Sequence, residues 1–144
     1  MALRFAFAVN SKGKFKNNHF GDARKYLIYE QKDDKLVLVD TLENQFRVFD
    51  EKHAHGWYRK AQLIIQYLED NKVNALVAMQ FGRNIDMVSE HFIPIIIYSE
   101  STDNVTSVLN KHLYWVEDEW NKKKENHSLL FIKSGILKKD IKKE

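Results

Sequence analysis

The sequence predicts a three-layer α/β domain around a mixed five-stranded sheet, followed by a C-terminal extension. Three features carry that expectation. The first segment alternates in a way that covers both faces of a strand, two β-rich segments follow it as a hairpin, and helical periods then alternate with short apolar runs. At 144 residues the chain fits a single domain, and with 44% hydrophobic and 12% aromatic residues it can bury a core without covalent staples.

Leu3–Val9 sets Leu3, Phe5, Phe7 and Val9 against Ala6 and Ala8, the pattern of a strand covered on both sides and therefore central. After a polar loop over Asn10–Asp22, Arg24–Gln31 and Lys35–Leu42 are rich in β-branched and aromatic residues. Lys32-Asp33-Asp34 between them predicts a hairpin. A second polar stretch, Glu43–Gly56, leads to Trp57, Ala61, Ile64, Ile65 and Leu68, one stripe of an amphipathic helix. Asn74–Met79 reads as a strand and Asn84–Phe92 as a helix with Ile85, Val88 and Phe92 on one face. Ile93–Tyr98 is the next strand, with Pro94 at its start where a missing N–H is tolerated. Ser101, Thr102 and Asp103 are cap-forming residues before a helix whose Val105, Val108, Leu109 and His112 share a face. Leu113–Trp120 either continues that helix or turns away, and Ser128–Ile132 is a further candidate strand.

The order β-β-β-α-β-α-β-α implies antiparallel pairing within the meander and parallel pairing across the helices. With the first strand central, the two later strands should lie on its side away from the hairpin, as in the ribonuclease-H-like folds. The expected organisation is an α/β domain over residues 1–120 and a lysine-rich extension over 121–144. The hydrophobic periods that define the core end before Trp120, so the extension is expected to be dispensable for folding.

The net charge of +3 belongs to that extension: residues 121–144 carry eight lysines against three acids, and residues 1–120 carry 15 basic against 17 acidic groups. A lysine-rich end is ordinarily a solvated one. It contains no arginine, the residue suited to bidentate phosphate and base recognition, which argues against nucleic acid as a partner. The chain has no cysteine, so disulfides, thiolate catalysis and cysteine metal sites are excluded; the composition suits a reducing cytoplasm. The longest apolar run, Ile93–Tyr98, falls well short of the ~20 residues a membrane span needs, and Leu3–Val9 reads as a strand and not as a secretory leader.

Ligands of such sheets collect at the carboxyl ends of the parallel strands. Three loops should meet there: His19-Phe20-Gly21-Asp22-Ala23 after the first strand, His53-Ala54-His55-Gly56 before the first helix, and Gln80-Phe81-Gly82-Arg83-Asn84 after the fourth strand. His53 and His55 are candidate metal ligands through neutral imidazole, although such a pair more often faces solvent. Gly21, Gly56 and Gly82 permit close backbone approach, and Gly82 before a helix could leave N–H groups for an anion; a glycine in a loop is more often a turn device. His91 at a helix end, His112 on an apolar helical face and His127 in the charged tail have structural readings, as do Trp57, Trp115 and Trp120.

The segment HFGDARKYLIYE (His19–Glu30) after a first strand, His55-Gly56 opening the first helix, and this element order together resemble the dinitrogenase iron–molybdenum cofactor biosynthesis family over about residues 3–112. His19, Phe20, Gly21 and Ala23 match a His-Phe-Gly-x-Ala signature. The resemblance implies a ribonuclease-H-like nitrogenase accessory factor domain that binds an iron–molybdenum cofactor or iron–sulfur cluster without chemistry upon it. It assigns cofactor binding to His19, Phe20, Gly21, His55, Gly56 and Gly82, and metal ligation to His55 with His53. Its partners would be the metal cofactor and the proteins that donate or accept it. The sequence departs from the family at Gln80 and Phe81, where small residues are common. Binding through neutral histidine should weaken below ~6.5, the unperturbed histidine pKa.

Two other readings compete with a carrier. A nuclease of the ribonuclease H class needs carboxylates on the central strand to hold two metal ions, and Leu3–Val9 has none, while Asp40 stands without companions. A protein-interaction adaptor of the same fold without cofactor would be favoured by an exposed apolar patch near Trp115 and Trp120.

Overall fold

The computed structural model describes residues 2–17, 19–48, 56–122 and 124–139, with the side chains of Gly56 and Trp57 excepted. The strands are β1 (Arg4–Val9), β2 (Lys25–Lys32), β3 (Lys35–Glu43), β4 (Ala75–Ala78), β5 (Ile93–Ile97), β6 (Leu130–Lys133) and β7 (Ile136–Lys139). The helices are α1 (Gly56–Asp70), α2 (Ile85–His91), α3 (Thr102–Lys111) and α4 (Leu113–Asn121). The strands form one sheet in the order β3-β2-β1-β4-β5-β6-β7. β1 pairs antiparallel with β2 and parallel with β4, and β4, β5 and β6 continue in parallel. The expected placement of β4 and β5 beyond the central first strand is what the structure shows.

The alternation of β1 divides the core in two. Leu3, Phe5, Phe7 and Val9 join Val105, Val108 and Leu109 of α3 and Leu113 and Val116 of α4 on one face. Ala6 and Ala8 leave room on the other face for Ala61, Ile64, Ile65 and Leu68 of α1 and Val88 of α2. Alanine there lets a helix approach the sheet closely, while large side chains fill the opposite layer. Ser101 caps α3 by accepting the Asn104 N–H at 3.0 Å. At His112 the backbone leaves helical geometry (φ −133°), so Leu113–Asn121 is a separate helix that turns back over the same face.

Among the described residues the sheet has seven strands where five were expected. Ser128–Ile132 does pair, as β6 in parallel with β5, and β7 returns beside it through a turn at Ser134-Gly135. Leu130, Ile132 and Leu137 enter the same core layer as Phe5 and Ile95. The core thus does not end before Trp120, as the hydrophobic periods suggested: part of it is built from residues of the expected extension. Each of these strands has four residues and only alternate ones face inward, and with Lys133, Lys138 and Lys139 among them the segment resembles a solvated tail.

Candidate functional site

The loops after β1 and β4 meet as expected, and the contact is backbone to backbone. His19 bridges Gln80 in parallel register, and the Phe20 N–H donates to the Gln80 carbonyl at 2.9 Å. The Gln80 side chain reaches back to Asn17 at 2.6 Å. Phe20–Asp22 forms a single 3-10 turn, which His19 caps by accepting the Gly21 N–H on Nδ1 at 3.0 Å.

Nearly every polar group of this turn has a partner. The Tyr26 hydroxyl donates to the Phe20 carbonyl at 2.8 Å. Burial, with Asp22 and then Tyr67 adding to it, pushes that hydroxyl far above its ordinary range, so it stays protonated and donating. Asn44, buried just beyond β3, donates from Nδ2 to the carbonyls of Gly21 (3.0 Å) and Ala23 (2.8 Å) and accepts the Phe46 N–H at 3.1 Å. Lys60, on α1 and 3% exposed, reaches Asp22 at 2.7 Å and the Arg47 carbonyl at 3.2 Å. Asn44 and Lys60 escaped the sequence reading. A polar residue in a polar stretch, or a lysine on an amphipathic helix, reads as exposed until its partners are known.

The signature residues acquire separate roles. Phe20 is fully buried and packs on Phe81 with ring centroids 5.7 Å apart, so it anchors the turn and does not itself present a surface to a ligand. Gly21 and Gly82 make room for the His19 ring. A Cβ on Gly21 would lie 3.2 Å from His19 Nδ1, and one on Gly82 would lie 2.7 Å from His19 Cδ2. Gly82 also has φ +62°, a conformation costly for other residues. It begins a 3-10 turn ahead of the seven-residue α2, and its visible contribution is this close approach to His19. Gly56 is the first residue of α1, while His53 and His55 lie outside the described residues.

These contacts make Gly82→Ala a test of the packing. Gly13→Ala is its control, because Gly13 shares a positive φ (+75°) but has nothing within 4 Å of the added carbon. Both substitutions should lose about 1–2 kcal/mol to left-handed backbone strain. Only Gly82→Ala should lose more and shift the His19 ring resonances, which thermal unfolding and NMR would read. Equal effects at the two positions would remove the packing role.

Beside the turn lies an open cleft of about 290 Å³, lined by Ala8, Val9, Asn10, Ser11, Lys16, His19, Asp22, Ala23, Arg24 and Arg47. Its floor is the carboxyl end of β1, and its rim is held by Asn10, whose Oδ1 accepts the Lys12 and Lys14 N–H groups at 2.9 and 3.0 Å. Three cations, Lys16, Arg24 and Arg47, line it against one carboxylate, Asp22, which Lys60 engages from behind. The balance favours an anionic ligand. Among the described residues no group of three or more histidine, cysteine or acidic side chains is placed to hold a metal ion.

The other histidines sit elsewhere. His91 pairs with Glu69, His112 packs on Trp115 with ring centroids 5.4 Å apart, and His127 stacks on Trp120 at 5.1 Å. Among the described residues no helix is long and apolar enough to cross a membrane.

The family model described as dinitrogenase iron–molybdenum cofactor matches residues 1–113. The chain belongs to this family. The match takes in β1 to β5, α1 to α3, the turn after β1 and the loop after β4, and it stops where α4 begins. The family thus supplies the cleft and both glycines that pack on His19, whereas α4, β6 and β7 lie beyond it. Membership associates the chain with the iron–molybdenum cofactor. No curated protein matches the chain.

Proposed function

We propose that the protein is a non-catalytic binding or carrier protein for an iron–molybdenum or iron–sulfur type cofactor or its precursor, which would be received in the cleft after β1. The observation that carries this reading is the cationic lining of that cleft, Lys16, Arg24 and Arg47, beside a family signature turn whose Gly21 and Ala23 carbonyls are already held by Asn44. Metal–sulfur cofactors are anionic clusters, and such a lining binds their outer surface without replacing their ligands. The strand order β3-β2-β1-β4-β5 with an antiparallel β2 supports a ribonuclease-H-like nitrogenase accessory factor fold, while the absence of any acid on β1 counts against nuclease chemistry. A cysteine-free chain suits a cytoplasmic setting, where the cofactor's donor and acceptor proteins would be its partners.

His19 has a defined part in this reading. Its Nδ1 accepts the Gly21 N–H, so the neutral ring carries its hydrogen on Nε2. A metal bound at Nε2 would require the other tautomer and would cost the Gly21 bond. We therefore read His19 as the residue that shapes the cleft, and leave metal ligation to His55 and His53. Without thiolates such a site suits transient carriage better than a permanent cluster.

The test is anaerobic titration with isolated iron–molybdenum cofactor. Arg24→Glu combined with Arg47→Glu should weaken binding about tenfold or more, since two attractive charges become repulsive. His55→Ala should weaken it as well if that residue is a ligand. Unchanged affinity in the arginine pair would remove the cleft from the proposal, and no binding by the wild type would end the cofactor reading.

A further inference from the structure

The two added strands are covered on one side only. Leu130, Ile132 and Leu137 face α4 and the core, so alternation sends Phe131, Lys133, Ile136 and Lys138 to the opposite side. That side carries α1 and α2 over β1, β2, β4 and β5, and neither β6 nor β7 contributes to the core beneath those helices. The register sets two rows across the strands: Ile96, Phe131 and Lys138, then Tyr98, Lys133 and Ile136. Ile136 is 55% and Tyr98 45% exposed. Tyr98 meets Phe131 edge-on at 6.5 Å, and the Lys133 ammonium lies 5.5 Å from the Tyr98 ring centroid. No carboxylate stands among these six residues; Glu100, at the margin, accepts the Gly135 N–H at 3.1 Å.

We propose that this uncovered face of β6 and β7, with Tyr98 just past β5 at its margin, docks a partner protein whose contact surface places apolar side chains among carboxylates. An aromatic and aliphatic centre with a cationic rim is the layout of a protein interface, and its single sign of charge selects an acidic counterpart. The same lysines would face each other across a symmetric pair of this chain, which opposes a second copy as the occupant. Single-stranded nucleic acid stacks its bases on ring faces, but here the two rings stand perpendicular at 89° and no arginine adjoins them. Tyr114 and Trp115 on α4 are exposed too, yet Asp118 and Lys122 beside them form an ion pair and give that surface no sign. The row containing Tyr98 lies at the carboxyl end of the parallel strands, as does the cleft. β1 and β6 are three strand spacings apart, roughly 14 Å at ~4.8 Å each. A partner on this face would thus stand beside the candidate site. Phe131, Lys133, Ile136 and Lys138 all lie beyond the family match, so this surface stands apart from the cofactor reading.

The test uses the full chain and a random copolymer of glutamate and tyrosine as the acidic, partly apolar probe. Binding should be saturable, perturb the NMR signals of Tyr98, Phe131 and Ile136, and weaken about tenfold or more in the exposed pair Lys133→Glu and Lys138→Glu. The control pair Lys72→Glu and Lys111→Glu, also exposed but outside β6 and β7, should leave affinity unchanged. Equal loss in the two pairs would reduce the effect to net charge and overturn the proposal. Tighter binding of an oligothymidine at the same residues would also overturn it, in favour of nucleic acid. So would concentration-dependent sedimentation abolished by Ile136→Asp, in favour of a second copy. Movement of the patch signals on deleting residues 140–144 without probe would assign the face to the chain's own end.

Discussion

Truncation after Asn121 is expected to abolish cooperative folding. It removes Leu130, Ile132 and Leu137, each at most 3% exposed, from a layer shared with the central strand. Burial of such a side chain stabilises by about 1.5–3 kcal/mol, so the three together amount to much of the ~5–15 kcal/mol that holds a domain folded. The truncation also strips β6 from β5, leaving Ile93-Pro94-Ile95-Ile96-Ile97 as an apolar open edge, a template for aggregation. Circular dichroism during heating and size-exclusion chromatography would read both effects. A truncated chain that stays monomeric and melts cooperatively within a few degrees of the intact protein would contradict this account of the core.

The second large effect is expected at Glu119, which fastens the added strands to α4. It is buried, and its carboxylate accepts from Lys124 and Lys139 on Oε1 (3.1 and 3.3 Å) and from the Ser128 N–H on Oε2 (3.1 Å). Burial alone would push its carboxyl up, but the Ser128 N–H and then the Lys124 and Lys139 ammoniums outweigh it and hold the pKa at about 2. Glu119→Ala leaves those donors without their acceptor. Breaking a buried pair typically costs about 3–5 kcal/mol, and the lower end applies here because both lysines remain roughly one-third exposed and can rehydrate. A folded pKa below the ordinary 4.5 means that the stabilisation is complete above that value and lost as pH falls toward about 2. The stability gap between wild type and Glu119→Ala should therefore be wide near neutral pH and narrow through that window. Urea unfolding of both proteins across that range measures it. A gap independent of pH would show that the carboxylate charge contributes nothing.

The histidine–glycine signature shows how much of the site was legible. His19, Gly21 and Gly82 could be singled out because histidine and glycine are distinctive in loops, and topology brought the loops after β1 and β4 to one end of the sheet. Their actual relation, two glycines making space for one imidazole, depends on the distance between His19 and Gly82, 63 positions apart in the chain. The cations of the cleft were hidden for a similar reason. Lys16, Arg24 and Arg47 lie in three different segments, each unremarkable in composition, and converge only when β2 and β3 fold against β1.

The sequence by itself determined the order and type of the first eight elements, the central place of β1, the want of acids on it and the kinship carried by His19–Glu30. These follow from local periods and residue identities, which survive in a linear reading because each helix or strand face repeats within a few positions. Tertiary structure alone decided that Ser128–Ile132 pairs with β5, that a lysine-rich Ile136–Lys139 forms the sheet edge, and that Asn44, Lys60 and Glu119 are buried. Only Leu137 of the four residues in Ile136–Lys139 is buried, too little to mark a strand in the sequence, and a polar side chain is stable inside only when partners from distant segments satisfy it.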